Sequence, residues 1–343
     1  MEDDGFFLPH EIISSILKRL PVKSLLRFRC VCKDWNDLFK TSLFIKEHVH
    51  HSSHHRGPSL LLQCGYSTFS MLDSDKKTLL PLSAPSVDPP VDMIDVIGSS
   101  YGLVCLQIKN RGSLILWNPS TRDVQYVPRT KNTRWYKNCH TGFGFSRVVN
   151  DYKIVRIYNF HKGVEVEVYS LSSGSWKQIE FGNVLKGGKF NGRFAATDEA
   201  IYWIVYGNQI DVLSFDIATE AFTLIPGSNI HWNVKLMTYE NKLALLSNTE
   251  LWVMEEATSG GSEQRWNKTK LIGNPNFLGF HPLTIWKNEV IYTYQPVGIY
   301  LFNVTTNKLK EFLISRENGR IMSAFNYVES IVSFGNKNSW ISA

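Results

Sequence analysis

The sequence predicts a mainly β protein that begins with a small α-helical domain. Three features predict it. Within residues 1–45 apolar side chains recur at helical spacing, as at Ile12, Ile13, Ile16, Leu17 and Leu20. From residue 58 onward that period disappears and short apolar runs alternate with turn residues. Across this second region one phrase returns six times: an apolar run, a polar turn and a second apolar run.

The helical unit comes first. Pro9 and Pro21 punctuate the ends of a first helix, because proline suits a first turn and breaks a helix interior. A second helix fits Val22 to about Arg29, and a third fits Val31 to Phe39 with Val31, Trp35, Leu38 and Phe39 on one side. The stretch "LPHEIISSILKRLPVKSLLRFRCVCKDW" is richer in apolar residues than so small a unit can bury by itself. Ile13 and Leu17 are expected to face inward. Leu8, Pro9, Ile12, Ile16 and Leu20 then remain for another surface, either the chain's own larger domain or a separate partner.

Residues 46–57 follow as an expected polar linker. "HVHHSSHHR" holds His48, His50, His51, His54 and His55, half of the ten histidines. Short histidine tracts can bind metal. His50/His51 and His54/His55 lack carboxylate or cysteine neighbours, and the tract adjoins Gly57-Pro58, a boundary signal, so no metal site is expected.

In residues 58–343 the recurring phrase reads "FSMLDSDKKTLLPL", "LILWNPSTRDVQYVP", "VEVYSLSSGSWKQIE", "VLSFDIATEAFTLIP", "LWVMEEATSGGSEQRWNKTKLI" and "IYLFNVTTNKLKEFLI". Asp73, Asn118, Asp216 and Asn303 open the turn, where a short side chain can bond the backbone two residues on. The aligned positions 73, 118, 170, 216, 254 and 303 lie on average 46 residues apart. One or two further apolar runs precede each phrase, giving about four strands per repeat. That period and strand count mark a β-propeller of about six blades. The C-terminal "SAFNYVESIVSFG" resembles the opening strands of a blade and is expected to complete the first one, closing the ring and removing exposed sheet edges.

Composition narrows the function classes. Hydrophobic content of 43% indicates a globular chain, and no apolar run reaches the length of a signal peptide or a membrane span. A cytoplasmic or nuclear protein is expected, with no membrane contact. Five scattered cysteines signal neither a disulfide framework nor zinc ligation. The Asn267 and Asn303 glycosylation sequons carry no meaning without a secretory route. Net charge of +6 is mild and not gathered into a stripe, so nucleic acid is not an expected partner. No nucleophile elbow, zincin motif or phosphate loop occurs, and Gly142-Phe-Gly-Phe lacks dinucleotide-binding spacing. No catalytic residue and no cofactor are expected. A propeller enzyme or small-molecule binder remains the alternative, since the fold alone decides nothing.

Blade strands a to d alternate in direction, so the d–a and b–c loops share one face and the a–b and c–d turns the other. Several d–a connections are long, including "PRTKNTRWYKNCH" and "PGSNIHWN", while most c–d turns are tight. Binding residues concentrate on longer loops, and Trp, Tyr and Arg are common interface hot spots. Arg134, Trp135, Tyr136, His231 and Trp232 are therefore the candidate partner-binding residues of the large domain.

The N-terminal stretch closely resembles the plant F-box. Leu8, Pro9, Glu11, Ile12, Ile16, Leu17, Arg19, Leu20, Pro21, Lys23, Ser24, Leu25, Arg27, Phe28, Arg29, Cys30, Val31, Lys33 and Trp35 all fit its pattern, while Ser15 stands where Glu is common. "GSSYGLVCL", "LWNPSTR", "GFGFSRVVNDYKIVRIY" and "FNYVESIVSF" resemble the kelch-like F-box-associated domain, and "VEVYSLSSGSW" is similar to S-locus F-box proteins. The resemblance implies a three-helix unit that docks a Skp-type adaptor and, through it, cullin and a RING protein. It implies a non-catalytic subunit that recruits an unknown substrate protein for ubiquitination; an S-locus role would make that substrate a ribonuclease. The implied adaptor-binding residues are Leu8, Pro9, Ile12, Ile16, Leu20, Pro21, Leu25, Leu26, Val31, Cys32 and Trp35.

Overall fold

The computed structural model describes residues 8–72, 79–87, 93–109, 112–130, 139–160, 163–185, 189–227, 234–247, 250–255, 265–270, 280–294, 298–312 and 321–334. Its strands form six four-stranded antiparallel sheets. The inner strands of blades 1 to 6 are Ile321–Tyr327, Ile94–Ser100, Cys139–Ser146, Lys189–Ala196, Lys235–Tyr239 and Phe280–Trp286. Each packs beside the next around a central channel, so the large domain is a six-bladed β-propeller. The second strands, such as Leu103–Ile108 and Ala200–Tyr206, are buried on both faces. Hence they read as continuous apolar runs rather than alternating ones.

The repeated turn has a common geometry. Asn118 Oδ1 accepts from Ser120 N at 2.9 Å, Asp216 Oδ1 from Ala218 N at 2.9 Å, and Asn303 Oδ1 from Thr305 N at 3.1 Å. Four residues after each turn opener the backbone is left-handed, at Arg122, Glu220 and Asn307 and at the equivalent Gly174. The final proline of the phrase also has a structural use. Trp176 Nε1 in blade 3 donates to Pro128 O beside blade 2 at 2.7 Å, and Trp266 Nε1 in blade 5 donates to Pro226 O in blade 4 at 3.1 Å. These bonds tie the outer strands of neighbouring blades together.

Ring closure joins the two chain halves. Ile321–Tyr327 supplies the inner strand of blade 1, and Ser59–Cys64, Phe69–Leu72 and Leu79–Leu82 supply the other three. Only this first part of the C-terminal motif is a strand. Residues 328–334 instead run beneath blade 2, held by Asn118, whose Nδ2 donates to Ser330 O at 2.9 Å and Val332 O at 2.8 Å. Tyr327 Oη donates to Asn118 Oδ1 at 3.1 Å.

The helical domain holds α1 (His10–Leu17), α2 (Val22–Phe28) and α3 (Lys33–Leu38), plus an unforeseen α4 (Ser42–His51). The third helix starts two residues later than its spacing suggests, because Cys32 is extended at φ −154° and forms the N-cap. Thr41 Oγ1 caps α4 by accepting from Phe44 N at 3.3 Å. Phe44, Ile45, His48 and Val49 form its buried stripe. The expected polar linker 46–57 is largely helical: its first residues belong to α4, which runs on into a π-helical turn, Ser52–Arg56.

Gly102 tests the closure. It has φ +87°, and a Cβ there would lie 2.0 Å from Ser330 Cβ. Gly102→Ala is expected to lower unfolding free energy by roughly 2–4 kcal/mol, combining left-handed strain with a forced clash. Urea unfolding of the full chain checks it.

Candidate functional site

Besides Leu43 of α4, which is 66% exposed, the exposed large apolar side chains of the helical domain lie on or beside α1 and in the α2–α3 turn. Leu8 is 53% exposed, Ile12 47%, Ile16 48% and Val31 61%. Pro9, Pro21 and Cys32 are also exposed. Helical spacing puts Ile12 and Ile16 one turn apart on one face of α1, while Leu17 turns inward and is buried. Leu20, Leu26 and Trp35 are half-buried against the core. Leu25, expected as an adaptor contact, is instead fully buried in the core that the helices share with the propeller. Arg134, Trp135, Tyr136, His231 and Trp232 fall outside the described residues.

The helical domain does not hang free. Leu17, Val22, Leu25, Phe39, Phe44 and Ile45 share one buried cluster with Leu103, Leu116, Phe143, Ile331 and Val332 of the propeller. Polar bonds border it: Tyr101 Oη donates to Lys46 O at 3.2 Å, and Arg29 Nη2 donates to Ile331 O at 3.4 Å. Tyr101 sits in the a–b turn of blade 2 and Asn118 in its c–d turn. The helices therefore occupy the a–b/c–d face, and the face bearing the d–a loops lies opposite.

The F-box domain matches residues 7–47, and the F-box associated beta propeller domain matches residues 66–336. The chain is an F-box protein with an F-box-associated propeller. A putative F-box protein of Arabidopsis thaliana is 31% identical over 64% of this chain and 60% of its own length. An Arabidopsis thaliana F-box/kelch-repeat protein is 25% identical over 95% of both chains. A chain in the crystal structure of a nidogen/laminin complex shares the fold alone, with TM-score 0.54 and 11% identity over 80% of this chain and 100% of that one. Among the described residues no group of three or more metal-ligating side chains forms, and no helix is long and apolar enough to cross a membrane.

Sequence reasoning missed His48 as a packing residue of this F-box protein. Its ring is buried, and its Nε2 donates to Leu20 O at 3.0 Å, tying α4 to the end of the first helical segment. A signal was present: Thr41 followed by Ser-Leu-Phe-Ile is a capped helix start that carries His48 onto the buried stripe. Burial is the main cause that pushes the His48 pKa down to about 4 from 6.5, with the Leu20 bond opposing it. The folded state thus holds the neutral ring, while the unfolded chain takes up a proton near pH 6.5. Stability from this group is present above pH 6.5 and is lost as pH falls toward 4, by up to roughly 3 kcal/mol. His48→Gln keeps a donor for Leu20 O and removes the titration. Its unfolding free energy is expected to fall less steeply than that of the parent between pH 6.5 and 4, as measured by urea unfolding across that window.

Proposed function

We propose that the protein is the substrate-receptor subunit of a Skp–cullin–F-box ubiquitin ligase. The observation that carries this reading is the exposure of Leu8, Ile12 and Ile16 along the first helical segment and of Val31 in the α2–α3 turn, on an F-box seated on one propeller face. Four large apolar side chains so exposed within one small unit form a protein-docking surface, and a Skp-type adaptor is the partner that F-box domains bind. The adaptor in turn joins cullin and a RING protein.

On this reading the chain makes and breaks no bonds. It holds a substrate's lysines near a ubiquitin-charged enzyme, and the raised local concentration drives transfer. The substrate protein belongs on the d–a/b–c face, because the F-box covers part of the other. Arg134, Trp135, Tyr136, His231 and Trp232 are the proposed contact residues in its loops.

Ile12 and Ile16 are already solvent-exposed, so the double variant Ile12→Asp/Ile16→Asp leaves the core intact. It is expected to weaken adaptor binding by about a hundredfold or more, since interface hot spots each contribute about 2 kcal/mol or more. Isothermal titration against the adaptor measures the loss, and circular dichroism verifies folding. An unchanged affinity in a folded double variant would refute the docking assignment. Replacing Arg134, Trp135 and Tyr136 together by Ala should leave adaptor affinity intact while reducing capture of the ligase's substrate.

A further inference from the structure

We propose that His50 and His54 chelate one divalent cation of the copper or zinc class, at the junction of α4 and the π-helical turn that leads to the propeller. In an extended linker the rings of His50, His51, His54 and His55 would scatter, and the sequence alone gave no reason to pair them. Here the segment is helical and sorts them into two pairs. The His50 and His54 ring centroids are 4.0 Å apart at an interplanar angle of 28°, and those of His51 and His55 are 4.3 Å apart at 32°. Four residues overshoot one full turn of an α-helix and fall short of one in the wider π turn. At the junction, residues four apart therefore stand almost directly above one another. Histidines four apart on one helix face are a metal-binding spacing, and π turns recur at functional sites.

The tautomer of His54 suits the role. Its Nδ1 lies 2.9 Å from His50 O, with Ser53 Oγ at 3.2 Å. A carbonyl oxygen only accepts, so Nδ1 carries the proton and Nε2 holds the lone pair. Metal-binding histidines are commonly held in this way, with the second ring nitrogen donating to a backbone carbonyl. His50 is exposed, so its ring can turn a lone pair to the same point. Two imidazole nitrogens on one cation, each about 2.0–2.1 Å from it, stand about 3–3.5 Å apart. Rings stacked at 4.0 Å bring nitrogens to that separation with a small side-chain rotation.

Surrounding charge distinguishes the two pairs. Arg19, Arg56 and Lys18 are the charged side chains, besides His55, that act on His51. Among the described ion pairs only Lys18 of these three has a carboxylate, Glu47 at 3.6 Å. The excess of positive charge opposes a dication there. Around His50 the charged side chains, besides His54 and His55, are Arg147 and Asp198, which neutralise each other in an ion pair at 2.9 Å. The cation therefore belongs on His50 and His54, both exposed, and not on the neighbouring pair. No group of three metal-ligating side chains forms among the described residues, so water fills the other coordination positions. Imidazole ligands suit Zn2+, Ni2+ and Cu2+, with Cu2+ held most tightly.

The test uses the full chain without a polyhistidine tag. Cys30→Ser and Cys32→Ser remove two exposed thiols that also bind these metals. Titration with Cu2+ alone and with Zn2+ alone is expected to show one site tighter than any other, with Cu2+ the stronger. Electron paramagnetic resonance of the bound Cu2+ should count two imidazole nitrogens, and Zn2+ should raise the unfolding temperature. His50→Gln and His54→Gln should each weaken the site about tenfold or more, because the second ligand of a chelate binds intramolecularly. His55→Gln should leave it unchanged. All three positions are exposed, and Gln at 54 keeps a donor for His50 O, so the variants retain the fold, which circular dichroism verifies. Absence of saturable binding would overturn the chelate. So would a copper spectrum with a single nitrogen, a tightest site that survives the His50 and His54 variants, or an equal loss in His55→Gln.

Discussion

The buried side chain of Asn118 makes five bonds that the rest of the molecule leans on. Its amide donates to Ser330 O and Val332 O, and its oxygen accepts from Ser120 N, Thr121 N and the Tyr327 hydroxyl. Residues 328–334 lie outside the described strands, so the carbonyls of Ser330 and Val332 have no sheet ladder to satisfy them. Leaving such groups unpaired in a buried place costs about 1–3 kcal/mol each. An amide supplies donors and an acceptor together. An aspartate at this position would point negative charge at two carbonyl oxygens.

Two separate tasks meet at that joint. Tyr327 ends the strand that closes the propeller ring, so Asn118 fastens the closure from blade 2. Ile331 and Val332, positioned by the same bonds, form the floor on which Leu17, Leu25 and Phe39 of the F-box pack. The ring must close before the F-box has its full seat. Gly102, pressed against Ser330, belongs to the same joint, which explains why two separate motifs in blade 2 converge on one C-terminal segment.

A shared core also sets how the two proposed binding surfaces relate. Proximity works as a mechanism only when the tethered group is held within reach. Here the exposed apolar residues of the F-box, the proposed adaptor contacts, stand on a domain packed on the a–b/c–d face through Phe44, Ile45 and the Tyr101–Lys46 bond. The long d–a connections lie on the far side of the same rigid ring. Inter-blade bonds such as Trp176 to Pro128 and the Lys177–Glu220 ion pair at 2.5 Å stiffen the path between them.

Much of this was legible in the chain itself. The repeated phrase predicted six blades because similar local chemistry recurs along it: four of the six aligned positions are Asn or Asp, and Asn118, Asp216 and Asn303 bond two residues ahead. Helical spacing separated exposed Ile12 and Ile16 from buried Leu17 because a single helix face is a local property. Local patterning could not decide contacts between distant parts. Leu25 reads as a docking residue by motif, yet propeller side chains far along the chain bury it. The histidine tract reads as a polar linker, yet one of its rings finds Leu20 O only when α4 folds back, and the segment ends at Gly57 beside Lys287 of blade 6. Nor does any short window show that "FNYVESIVSF" divides into a strand and a buried strap, since Asn118, over 200 positions earlier, supplies the bonds that the strap requires. Periodicity and turn chemistry act over a few residues and are written in the sequence. Burial and the pairing of orphaned polar groups depend on which distant segments the closed ring brings together, and tertiary structure alone decides them.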